Sequence, residues 1–326
     1  MLKKWFQYPS KHLSSIIPMI LVLGFIIGLR LDLSWGKQLI LPLTFFMIFP
    51  NMIGINLAKI NIRDQKNVLL MSLVINFLII PAIAYLIGQL FLSNHHDLFI
   101  GLMMIAVFPT SGMTISWTEF SKGNVIGAIQ IVTVNLILSA LLASFYLSFL
   151  LGSMVEINML AMFLTVLEIV MLPLILGYLS HHFLVAKLGP QKFKATIKPL
   201  LPSASVWAML IIIFLSIGMK ARMIASNPQS ILLALVVVLI LYLIHYSVIT
   251  LLTRKLLSKE DSYAVIYGTV MRNLSIALGI AVSAFSSEAA LIITLAYIVQ
   301  IQSAPIYKTL AERFNFLEAH PQLRSN

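Results

Sequence analysis

An apolar run of bilayer-crossing length recurs ten times in this chain, at 13–29, 38–57, 68–92, 98–120, 124–151, 158–180, 199–219, 230–252, 262–284 and 288–309. A membrane interior offers the backbone no water, so a spanning segment has to be a helix or part of a closed barrel. Runs of about 20 residues suit a helix crossing a core of about 30 Å, whereas barrel strands need about half that length. Only 10% of the 326 residues are charged, against about 25% in soluble domains. The runs predict an all-α integral membrane protein with ten transmembrane helices. Short connections leave no room for a soluble catalytic domain. Lys3, Lys4 and Lys11 precede the first run, but no small-residue cleavage site and hydrophilic mature domain follow, so that run reads as a retained span.

The distribution of basic residues tests this topology. With ten spans, both termini and the even-numbered connections share one side, which holds 17 of the 22 Lys and Arg residues. The other side holds Arg30, Lys37, Lys220 and Arg222, and only Arg272 falls inside a span. The positive-inside rule then predicts cytoplasmic termini, in a plasma (inner) membrane. The basic balance is thus a topology signal. No basic face with aromatic readers is present, so a nucleic-acid partner is not expected. The chain has no Cys, which excludes disulfides and thiolate metal sites.

Arg272 lies in the middle of the apolar stretch from Tyr263 to Ala284. A charge at that depth costs roughly 2.5–3.5 kcal/mol on insertion scales and is normally held by a binding site, a cavity or a buried partner. Its surroundings, Gly268-Thr269-Val270-Met271-Arg272-Asn273, read as a weakened helix that opens at the midplane. The fourth span carries a second interruption, Pro109-Thr110-Ser111-Gly112. Pro109 removes a backbone donor, and Gly112 is expected to relax the chain there.

The two interruptions occupy matching positions in two halves that divide near residues 153–156. Each half has five spans, so the second enters the membrane inverted. Pro18 with Leu23-Gly24 echoes Pro173 with Leu176-Gly177, and Leu41-Pro42 echoes Leu201-Pro202. Paired breaks in inverted repeats point to a transporter's substrate site.

Gly101-Leu102 through Phe108-Pro109-Thr110-Ser111-Gly112, on to Phe120-Ser121-Lys122-Gly123-Asn124-Val125, resembles the fourth span of the bile acid–sodium symporter superfamily. That superfamily also holds the arsenite efflux permeases, and Trp117-Thr118-Glu119-Phe120-Ser121-Lys122-Gly123 is closer to that branch. Met271-Arg272-Asn273 resembles the Met-Gln-Asn of the symporter ninth span, and Asn76 and Pro81 also fit. The resemblance implies two inverted five-helix repeats forming a panel and a core bundle, with broken helices 4 and 9 crossing inside the core. The corresponding division is 1–64 and 153–226 for the panel, 65–152 and 227–312 for the core, and 313–326 for a cytoplasmic tail.

Departures from the family pattern are as informative. The sodium-coupled relatives' ninth-span glutamate falls on Gly268 and their glutamine on Arg272. Their fourth-span Ser-Asn pair falls on Thr114 and Ile115, and their fifth-span hydroxyls on Ala128 and Val132. Hard cations need several oxygens, with a carboxylate supplying most of the attraction; here the carboxylate is gone and a cation has arrived. The arsenite permeases' fourth-span cysteine falls on Thr110 and their ninth-span glutamate on Ser275.

Three readings of Arg272 stay open at this stage. It binds substrate or stands in for an ion, it pairs with Glu168, or the span boundary is displaced and it snorkels. Glu168, an acid placed well inside a span, is that partner, a proton relay, or a residue nearer the interface. The candidate substrate or ion site comprises Arg272, Asn273, Met271, Thr110, Ser111, Thr114, Asn76 and Gly268, with the helix breaks at Pro109 and Gly112. Gln300 and Gln302 are further candidates for the same cavity, and Asn135 reads as helix–helix glue. His95-His96 and His181-His182 do not share helix faces, so no metal is expected.

The expected activity is secondary transport, or facilitation, of a small organic anion by alternating access. The alternative is a sodium-coupled symporter or an arsenite-type permease with ordinary family activity. Enzyme signatures such as Gly-x-Ser-x-Gly and His-Glu-x-x-His are absent from the sequence, as is a nucleotide-binding loop. Neither an enzyme nor a cofactor is expected. The expected partners are the lipid bilayer and the anionic substrate.

Overall fold

The structure is a computed structural model and describes residues 2–53, 65–152, 159–226 and 228–317. Among these residues the chain is helical throughout, without strands. The helices are α1 (Leu2–Lys11), α2 (Leu13–Arg30), α3 (Lys37–Ile53), α4 (Lys66–Val74), α5 (Ile80–Phe91), α6 (His96–Val107), α7 (Met113–Phe120) and α8 (Val125–Leu151). They continue with α9 (Met159–Leu188), the one-turn α10 (Pro190–Lys192), α11 (Leu201–Ser226), α12 (Pro228–Leu256), α13 (Lys259–Val270), α14 (Leu274–Ala284) and α15 (Ser287–Arg313).

Among the described residues, seven helical segments are long and apolar enough to cross a membrane. Of the other three expected spans, the first lies within the continuous helix α2, and the fourth and fifth are interrupted or bent. The first meets α1 at 89°, because the chain turns at His12, and the fifth bends by 44° within α8. The fourth is divided into α6 and α7, both too short to cross alone.

Two groups of helices are evident from their packing. In one, α11 packs against α1, α2 and α3, and α3 packs against α9. The α2–α11 contact is backbone on backbone: a Cβ on Gly28 would stand 2.2 Å from the carbonyl oxygen of Gly218. Glycine at this crossing permits the approach, as at small-residue membrane interfaces. The α1 helix is tied to α11 by Trp207 Nε1 donating to Phe6 O at 3.0 Å and by stacking of Trp5 on Trp207 at 5.1 Å. Between α2 and α3, Asp32 accepts from both the backbone N–H and the hydroxyl of Ser34, which holds its carboxyl below the usual carboxylate range.

In the second group, α15 packs on α6, α12 and α14, and α13 packs on α4, α7, α8 and α12. Within α13 every residue from Ser262 to Val270 is buried, so this helix lies at the centre of the group. The groups meet where α8 touches α9, where α14 touches α3 and α9, and where α15 touches α11. A π-turn, Ile75–Ile79, joins α4 to α5. Pro81 lacks the N–H that would bond the Phe77 carbonyl, and the Tyr146 hydroxyl from α8 supplies a donor to it instead.

Candidate functional site

The site is built where α6 and α13 both stop near the middle of the protein. After α6, Pro109 provides no N–H and Thr110 takes φ +53°. A β-branched residue at positive φ is strained, and such strain collects at functional sites. Gly112 does not relieve it. Its φ of −58° is helical and it opens α7, so the break is carried by Pro109 and Thr110 rather than by the glycine.

The second break has no proline. The backbone N–H of Arg272 donates to Gln300 Oε1 at 2.8 Å, and Gln300 Nε2 donates to Arg272 O at 3.2 Å. Gln300, on α15, thereby engages both polar backbone groups of one residue and stabilises the opened turn. Asn273 then caps α14, its side-chain oxygen accepting from Ile276 N at 3.3 Å. The breaks exchange hydrogen bonds where they cross: Ser111 N donates to Met271 O at 2.8 Å and Asn273 N to Phe108 O at 2.9 Å.

Arg272 is fully buried, which excludes snorkelling. Its Nε donates to Ile105 O at 2.9 Å, and its Nη2 donates to Ala106 O. Its Nη1 donates to Thr269 O at 3.0 Å and to Asn76 Oδ1. The three carbonyls belong to the last turns of α6 and α13. Such carbonyls have no partner within their helix and carry the negative end of its dipole. One guanidinium therefore caps two half-helices, and four of its five N–H groups are so engaged. Asn76 Nδ2 donates to Gly268 O at 3.1 Å, and Thr114 Oγ1 donates to Tyr267 O at 3.0 Å. Three further members of the expected site, Asn76, Thr114 and Gly268, thus belong to this cap.

Glu168 takes no part. It lies on an exposed face of α9, and among the described residues no carboxylate reaches Arg272. The pairing reading is corrected: the charge is stabilised by carbonyl dipoles and an amide oxygen rather than neutralised by a carboxylate. Met271 is buried in the apolar core and contributes its carbonyl oxygen to the crossing. At Gly268, the position of the symporters' glutamate, a Cβ would stand 2.7 Å from Ile131 Cγ2 on α8, so the packing leaves no room for a carboxylate.

Beside the crossing lies a cavity of about 400 Å³ between the two helix groups. Thr110, Ser111, Gly112, Arg272 and Asn273 line it, and Ser10, Leu13, Lys198 and Leu201 border it toward the end that bears α1. Its walls are mainly apolar with a few polar groups, the usual character of a small-molecule site. Among the described residues, three hydroxyls on its wall have no hydrogen-bond partner: Thr110 Oγ1, Ser111 Oγ and, on α11, Ser205 Oγ. Sequence reasoning missed Ser205, Asn51, Thr133 and Tyr297, which also line the cavity. Each is an isolated polar residue in an apolar helix, with no local signal to separate it from a self-bonded one.

A family model described as "Sodium Bile acid symporter family" matches residues 41–227. The arsenical-resistance protein Acr3 of Alkaliphilus metalliredigens (strain QYMF) is 26% identical over 203 residues, which cover 59% of this chain. That match spans 57% of the Acr3 length. The uncharacterized protein YbaS of Bacillus subtilis (strain 168) is 24% identical over 316 residues, covering 95% of this chain and 98% of YbaS. The uncharacterized transporter slr0944 of Synechocystis sp. (strain ATCC 27184 / PCC 6803 / Kazusa) is 24% identical, covering 93% and 87%.

Proposed function

Because the chain belongs to the sodium bile acid symporter family, we propose that it carries a small organic anion by alternating access, with Arg272 in place of the family's sodium ion. It is an integral, multi-pass membrane protein of the bile-acid and arsenite transporter type. The observation that carries the finer reading is the guanidinium seated on the carbonyl ends of both α6 and α13. A cation is already covalently present where two dipoles converge, so none has to bind from solution.

In this reading the chain crosses the plasma membrane ten times as two inverted halves, with cytoplasmic termini. Residues 1–64 and 153–226 form the panel, 65–152 and 227–312 form the core, and 313–326 form a cytoplasmic tail. The two packing groups of the fold support that partition. The cavity mouth near Ser10 and Lys198 then faces the cytoplasm. The substrate sits against Thr110, Ser111 and Asn273. Arg272 acts on it mainly through its field, since its donors are largely committed to the carbonyls. The positive charge of Arg272, with Lys198 at the mouth, favours an anion.

A second reading is arsenite efflux, which the names of the Acr3 relatives raise. The absence of any cysteine, with Thr110 at the permeases' cysteine position, weighs against thiolate capture of arsenic. The test is uptake of a panel of radiolabelled carboxylates into proteoliposomes, with sodium or choline as the external cation. Equal uptake in both supports the proposal. Strictly sodium-dependent uptake, or arsenite flux without carboxylate flux, would sink it.

A further inference from the structure

The fixed charge has a consequence for the unloaded carrier. Arg272 belongs to the helix group built from α4–α8 and α12–α15, and among the described residues the hydrogen-bond partners of its side chain all lie in that group: Ile105, Ala106, Asn76 and Thr269. None of these is charged. The ion pair between Lys308 and Glu312, at 2.7 Å, lies in the last turns of α15. Other charges on these helices, such as Asp97, Glu119, Lys259 and Glu288, sit near helix ends. The deep interior of the group thus holds a positive charge that no carboxylate among the described residues neutralises. The cavity wall beside it presents Thr110, which is 1% exposed, with an unpartnered hydroxyl, and a second unpartnered hydroxyl on Ser111.

We infer that the substrate-free core carries this one charge through the membrane field when it changes orientation, so the empty transition is electrogenic. A monovalent anion bound at Thr110 and Ser111 makes the loaded transition electroneutral. Anion-for-anion exchange then moves no net charge, and the membrane potential acts on the empty return alone. The inference rests on the alternating-access reading above. It differs from it in predicting voltage dependence without substrate and without sodium. A cytoplasm-negative potential draws the positive core toward the cytoplasm and so favours the inward-open state.

The chain contains no cysteine, so a single engineered thiol reports accessibility. Gly112 is suited to it, because a side chain there meets nothing within 4 Å and projects into the cavity at the crossing. The Gly112→Cys protein is labelled with a membrane-impermeant maleimide in right-side-out and in inside-out membrane vesicles. Potassium diffusion potentials of either sign are imposed with valinomycin. A cytoplasm-negative potential is expected to speed labelling from the cytoplasmic face and slow it from the other. The change reaches about fifty-fold per 100 mV if the charge crosses the whole field. Adding Arg272→Gln should flatten the dependence, and adding Arg272→Lys should keep it. Should both second variants fail to fold, the Gly112→Cys protein still decides the matter. Labelling from both faces that ignores the potential overturns the inference and leaves alternating access standing. Labelling confined to one face at every potential removes both.

Discussion

Replacing Arg272 with Met tests whether the guanidinium holds the two half-helices together. The substitution keeps the length of the aliphatic stem and removes all the donors. It strands the carbonyls of Ile105, Ala106 and Thr269 and the Asn76 side-chain oxygen. A buried acceptor left unpaired costs about 1–3 kcal/mol. Taking about 1–2 for each of four acceptors gives a loss of about 4–8 kcal/mol. Removing a charge from mid-membrane returns about 3 kcal/mol on insertion scales. The net expectation is destabilisation by about 1–5 kcal/mol, read as a melting midpoint several degrees lower in detergent. Arg272→Lys should fall between, since an ammonium is a compact donor that does not reproduce the planar fork. The parent should melt at the same temperature in sodium chloride and choline chloride of equal ionic strength. The vacated oxygens of the Met variant offer a hard cation a partial cage, so that variant should gain stability from sodium. A parent stabilised by sodium, together with a Met variant as stable as the parent, would refute the reasoning.

Four further substitutions, at three positions, separate packing from binding. Thr110→Gly relieves the strain of φ +53° and should raise stability by about 1 kcal/mol, whereas Thr110→Val keeps the strain; both should abolish carboxylate uptake, measured beside the melting curve. Gly28→Ala places a methyl 2.2 Å from the Gly218 carbonyl oxygen and should cost about 1–3 kcal/mol or more, seen as a lower midpoint without a change in ion dependence. Gly112→Ala meets open space at a helical φ, so the midpoint should hold or rise slightly while uptake of the bulkiest accepted carboxylate falls.

What the sequence disclosed was local in origin. Pro109 announces its break because a missing N–H acts within one helical turn, and Arg272 announces its own because a charge is conspicuous in an apolar run. The partners of Arg272 leave no such trace. Gln300 lies 28 residues away and Asn76 lies 196 away, and an amide in a membrane helix looks the same whether it clamps a backbone or faces lipid. Glu168 misled because an acid's depth along a helix does not reveal its azimuth, and this one points outward. Gly112 misled for a related reason: glycine beside proline suggests a strained dihedral, yet the strained residue is the threonine between them. Thr114 and Ser111 show the same limit, one hydroxyl engaged by a carbonyl and the other facing the cavity.

The capping of α6 by a residue from α13–α14 bears on the order in which the protein is made. Ala106 and Arg272 are 166 positions apart, and ribosomes add about 5–20 residues per second. For some ten to thirty seconds, therefore, the nascent fourth span has bare carbonyls in its last turn, in a medium where each costs several kcal/mol. During that interval it must stay in a hydrated translocon, lean on an insertase or remain at the interface. Its final seat becomes available only once Arg272 has been made and inserted, so a ribosome stalled before codon 272 yields a product whose fourth span cannot mature.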